Sequence, residues 1–157
     1  ELEVVERPRG SPFEVDVAKS LISWLQGRFR SWSMHQEVPV TLQGETYPVD
    51  LVWVSEKLNL VVAYEVKRVL SGYLLDQCHR ILGHADEVWA AVLEPLTQSS
   101  QHQRYRGMLE TIGVGLVYVA PDGCEIVLEP LHARFRSIEL WPASLSHRGW
   151  VSVSWRP

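Results

Sequence analysis

The chain has 157 residues, 46% hydrophobic and 22% charged, with a net charge of −4. That is enough for one domain with its own core, and no apolar run approaches the ~18 residues of a membrane-spanning helix. The negative balance argues against broad electrostatic adhesion to nucleic acid, although it leaves room for a local basic groove.

The basic residues are mostly arginines in pairs: Arg28 and Arg30, Arg104 and Arg106, Arg134 and Arg136. The opening "ELEVVERPRG" has no signal-peptide core. Cys78 and Cys124 are the only cysteines and form no CxxC pair, which disfavours structural zinc. Reduced thiols in a cytoplasmic protein are the expectation, within a single domain over 1–157.

In chain order, "SPFEVDVAKSLISWLQGRF" predicts a helix. Ser11 can cap it, Pro12 suits its first position and Glu14 completes an S-x-x-E box. Phe13, Val17, Leu21 and Leu25 fall on one apolar stripe. "EVPVTL" predicts a short strand, and Pro39 places it at an edge or a bulge. Two further strands follow, Tyr47–Val54 and Leu60–Lys67, separated by the polar turn "SEKLN".

"SGYLLDQCHRILGHA" predicts a helix ending at Gly83, and "EVWAAVLEP" a strand. "QHQRYRGMLETIG" predicts a helix ending at Gly113, then "VGLVYVA" and "CEIVLEP" predict strands around the turn "PDG". The order is α β β β α β α β β. The later strands are apolar on both faces, as in a sheet covered on both sides. The expected class is α/β, a mixed sheet flanked by helices. Residues 131–157 form a C-terminal extension in which "WVSVSW" alternates like a strand. It either closes a sheet edge or meets a second subunit, as in a homodimer.

The hairpin Tyr47–Arg68 carries the chemistry. If Val54 pairs with Val61, Asp50 lies opposite Glu65. Strict alternation then puts Asp50, Val52, Val54, Val61, Ala63, Glu65 and Lys67 on one face. Directly opposed residues have Cβ atoms ~4.5–5.5 Å apart. Two carboxylates forced together among apolar neighbours are unfavourable unless something compensates. A divalent cation does so, and an all-oxygen donor set suits Mg²⁺ or Mn²⁺. Two readings stand for Lys67: it bridges one of the carboxylates at a strand end, or its ammonium holds an attacking water or a phosphate oxygen.

"PVD" at Pro48–Asp50, fourteen residues, then "EVK" at Glu65–Lys67 resembles the PD-(D/E)XK nuclease superfamily, the restriction-endonuclease-like fold. The element order αβββαβ is similar from about Ser11 to Ala120, with a further helix and strands. The resemblance implies metal-assisted hydrolysis of a phosphodiester, with DNA as the partner, by a Mg²⁺- or Mn²⁺-dependent enzyme. It implies Asp50 and Glu65 as metal carboxylates, the Val66 carbonyl completing the shell, and Lys67 as the catalytic lysine. Glu14 matches a glutamate on the first helix of many members, against its capping-box reading. Gln77 is similar to a glutamine on the helix after the motif, against a reading as a solvated helix residue. The alternatives are a nuclease-like domain that binds nucleic acid or protein without cutting, and an assembly subunit.

Other motifs point less far. The six histidines are scattered, and His79 and His84 are spaced poorly for joint ligation on a helix. "GVG" at Gly113–Gly115 lacks the rest of a phosphate loop. Arg104, Tyr105 and Arg106 could touch a nucleic-acid backbone, but such residues more often form a solvated helix face.

Overall fold

The computed structural model describes residues 12–132, with side chains from Val17 onward. The elements are α1 (Pro12–Arg28), β1 (Ser33–Leu42), β2 (Glu45–Ser55), β3 (Leu60–Val66), α2 (Gly72–Ile81), β4 (Glu87–Leu93), α3 (Ser100–Ile112), β5 (Gly115–Ala120) and β6 (Gly123–Leu128). Six strands form one mixed sheet in the order β1-β2-β3-β4-β5-β6. The first three are an antiparallel meander, β3, β4 and β5 run parallel, and β6 returns antiparallel. No helix among the described residues is long and apolar enough to cross a membrane.

Alternation divides the strand side chains between two cores. Val52, Val54, Val61, Ala63, Val88, Ala90 and Leu116 pack with Leu74, Cys78 and Ile81 of α2 and Leu109 of α3. On the other face Leu51, Trp53, Val62, Tyr64, Trp89, Ala91 and Val117 pack with Val17, Leu21 and Leu25 of α1. Tyr64 and Trp89 stack there with ring centroids 5.7 Å apart.

The helix ends follow local chemistry. Ser71 and Ser99 cap α2 and α3, each hydroxyl accepting an N–H from the first turn. Gly113 closes α3 in the left-handed conformation at φ 85°. The Trp89 ring lies over Gly115 at the start of β5, and a Cβ there would stand 2.6 Å from Trp89 Cε3.

Three boundaries move. β1 begins four residues earlier than "EVPVTL" predicts, at Ser33. Its first residues are only half-buried, so their polarity concealed a strand. α2 ends at Ile81, before Gly83, and β3 ends at Val66, one residue before Lys67. β1 is an edge strand, as Pro39 predicts. The Ser11 cap and the Trp-rich segment lie outside the described residues.

Candidate functional site

The β2–β3 register is the predicted one. Val54 pairs with Val61, Val52 with Ala63 and Leu51 with Tyr64, which sets Asp50 next in line with Glu65. The regular ladder stops there. Asp50 turns a carboxylate oxygen, Oδ2, to the Val66 N–H at 2.7 Å, so a side chain replaces the next rung.

Alternation also slips at this point, contrary to the expectation of strict alternation. Val49 faces the α2 side, Leu51 the α1 side and Val52 the α2 side again. Across the ladder, Gln36 pairs with Leu51 and Val38 with Val49, leaving Glu37 opposite Asp50. Glu37 has φ 51°, a left-handed backbone unusual for a non-glycine residue. Strained residues of this kind cluster at functional sites. Asp50 therefore sits where β2 changes sides, with its carboxylate directed toward β3.

Asp50 and Glu65 are 6% and 2% exposed. Burial raises the Glu65 pKa well above the usual carboxylate range, and the Asp50 charge and a side-chain hydrogen bond to Asp50 raise it further. The Asp50 backbone N–H and the Lys67 charge act in the opposite direction. Glu65 thus keeps its proton at pH values where an exposed glutamate has lost it. Cys78 of α2 lies close enough that both acids add to the burial raising its thiol pKa.

Gln77 is buried in α2, at 6% exposure, rather than solvated on its surface. Its Oε1 and Glu65 Oε1 are buried without hydrogen-bond partners. Buried polar oxygens normally find a donor. The carboxylate oxygens of the pair are the hard donors that Mg²⁺ or Mn²⁺ takes, and Glu65 Oε1 has a lone pair to offer. Among the described residues no three His, Cys, Asp or Glu side chains converge as a ready metal cage. Any cation here would draw on backbone, amide or water oxygens in addition to the two acids.

Lys67 follows Glu65 by two residues. Its backbone N–H bonds to the Ala91 carbonyl of β4 at 3.0 Å, and its Nζ lies 5.3 Å from the centroid of the Tyr73 ring. Glu14 falls in the first turn of α1, but its side chain is outside the described residues. The packed body of α1 covers the face opposite α2.

Sequence reasoning missed a cleft of ≈ 450 Å³ just beyond Lys67, lined in part by Arg68, Leu70, Leu93, Gln101 and His102. The segment between β4 and α3 builds one wall, and no motif announces it. His102 Nε2 lies 2.6 Å from the Tyr118 hydroxyl. Burial and then the Arg106 charge lower the His102 pKa, so this ring acts as a neutral hydrogen-bonding group.

No protein-family profile matches the chain, and no curated protein matches it. Among solved structures it is similar to SPO1766, a protein of unknown function from Silicibacter pomeroyi, at 15% identity and a TM-score of 0.54. The match covers 88% of this chain and 83% of that one. At that identity the likeness speaks for the fold alone.

Proposed function

We propose that the protein is a metal-dependent nuclease of the PD-(D/E)XK kind, hydrolysing phosphodiester bonds in DNA on a restriction-endonuclease-like fold. The observation that carries this reading is the buried Asp50–Glu65 pair beside Lys67, with unsatisfied oxygens on Glu65 and Gln77. The observed element order and antiparallel meander agree with the resemblance drawn from "PVD" and "EVK".

Asp50, Glu65 and the Val66 carbonyl would hold Mg²⁺ or Mn²⁺. When bound, the cation would supply charge neutralisation at the phosphate and acidify a water. The protein's own part follows from the geometry. Asp50 is held by the Val66 N–H, so its free lone pairs have a fixed direction. Glu65 must give up its proton to ligate, so metal affinity rises with pH. Lys67 donates hydrogen bonds to a non-bridging phosphate oxygen, where negative charge develops as water adds to phosphorus and the ester oxygen leaves. Gln77 orients a water or ligand beside the acids, and Glu14 is the remaining candidate acid.

The experiment pairs Mn²⁺ titration by calorimetry with incubation on plasmid, linear, single-stranded and RNA substrates. Binding that disappears in Asp50→Asn, with cutting that disappears in a folded Lys67→Ala, supports the nuclease. Nucleic-acid binding without cutting by the native chain supports the non-cleaving alternative.

A further inference from the structure

Lysine carries its charge at the end of a flexible four-carbon stem. A group that is to meet a phosphate must be held in place beforehand, or its charge is spread over many rotamers. The backbone of Lys67 is already fixed, because its N–H bonds to the Ala91 carbonyl of β4 at 3.0 Å. The stem beyond it needs an anchor of its own.

The start of α2 supplies one. The chain leaves β3 at Val66 and enters α2 at Gly72, which brings Tyr73 back to Lys67. The Lys67 Nζ stands over the Tyr73 ring, 5.3 Å from its centroid. That is inside the ~6 Å reach of a cation–π contact. The same ammonium is close enough to Glu65 for its charge to act on that carboxyl. The ring and the acid are thus two neighbours of one cation.

The ring projects from a part of the fold that is itself tied down. Ser71 caps α2, its hydroxyl accepting the Leu74 N–H at 3.3 Å and its carbonyl the Leu75 N–H at 3.1 Å. Tyr105 of α3 lies against Gly72, where a Cβ would stand 3.5 Å from the Tyr105 hydroxyl, and the Gly72 backbone hydrogen-bonds to Tyr105. The first turn of α2 is therefore held by its cap and by a second helix. Leu74 and Leu75 carry the packing of this turn, and both are buried. Tyr73 is 63% exposed, so removing its ring takes little from either core.

We infer that Tyr73 is a positioning residue for Lys67, its ring holding the ammonium beside the Asp50–Glu65 pair. The π face does this, and the hydroxyl is dispensable. For its effect on cleavage the inference rests on the nuclease reading; for the placement of the ammonium it does not.

The placement is read by proton–carbon NMR of the metal-free protein with lysine labelled at Cε. Only Lys19, Lys57 and Lys67 contribute signals, and the Lys67 signal is the one lost in Lys67→Arg. A ring shields protons over its face, so that signal is expected to move downfield in Tyr73→Leu and to stay near its native position in Tyr73→Phe. Cleavage kinetics with Mn²⁺ read the consequence. Tyr73→Leu is expected to lower kcat about two- to fivefold with KM little changed, and Tyr73→Phe to restore it. Circular dichroism checks that both variants fold. An unmoved Lys67 signal in Tyr73→Leu, a native kcat in that variant, or a Tyr73→Phe variant that behaves like Tyr73→Leu overturns the inference. In that case cutting lost in Lys67→Ala would still uphold the nuclease. If the native chain cuts no substrate, the nuclease reading falls, and the Tyr73-dependent shift of Lys67 decides the placement by itself.

Discussion

The two ends of β3 use the same device to different effect. At its start, buried Asp86 accepts the Val61 N–H at 2.7 Å through Oδ2. At its end, buried Asp50 accepts the Val66 N–H at the same distance, again through Oδ2. Asp86 also has its own N–H bonded to the Val61 carbonyl at 2.7 Å, and His132 approaches its other oxygen at 3.9 Å. The environment of Asp86 is that of a clasp joining the start of β3 to the start of β4. Asp50 instead has a second buried carboxyl, Glu65, as its cross-strand neighbour, and that carboxyl keeps its proton above the usual carboxylate range. A backbone clasp needs one acid. A second acid, buried against the first, makes sense when the site has something positive to hold.

Breaking this contrast should have its largest effect at the Asp50 end. Lys67→Ala is expected to lower cutting by about 10²–10³-fold, read as initial cleavage rate, with an unchanged melting temperature in the absence of metal. Next, Mn²⁺ at about 100 times its dissociation constant should stabilise the native chain by about 2.7 kcal/mol. Asp50→Asn should abolish that gain and Asp86→Asn should retain it, as thermal melts with and without the ion would show. Third, Asp86→Ala leaves the Val61 N–H buried without its acceptor, and is expected to cost about 1–3 kcal/mol in urea unfolding. The surviving folded protein should cut at the native rate.

The smallest effect sharpens the electrostatic side. Because the Glu65 pKa is raised on folding, its contribution to stability is fully present below the ordinary carboxylate range of ~4.3. That contribution is lost as pH rises from there through the raised value. Glu65→Gln removes this slope. Melts of metal-free protein from acid to mildly alkaline pH should therefore fall less steeply in the variant than in the native chain. An equal slope would mean that folding does not raise the Glu65 pKa.

The hairpin was legible because its information is local. Val and Ala at every second position, with the polar turn "SEKLN", leave one register that keeps both faces apolar, and Val54–Val61 follows from it. The break at Asp50 was not legible, because it depends on Glu37 adopting a backbone conformation that its residue type disfavours. Gln77 was ambiguous for a related reason. Helix periodicity places it near the apolar stripe of α2, but only the strands beneath determine that it is covered. Alternation points Arg68 away from Lys67. Its place in the cleft wall depends on the segment between β4 and α3, whose path has no periodic signature.

One further feature bears on how the protein behaves in concentrated solution. Among the described residues β2 continues past the last rung of β3, so Glu45–Val49 pairs with β1 alone and forms a two-stranded arm. In it Pro39 sits opposite Pro48, and neither has an amide hydrogen to offer a newcomer. An uncovered ribbon would ordinarily invite another chain to add itself as the next rung. Here both margins of the arm are interrupted at the same level, which discourages self-association along them.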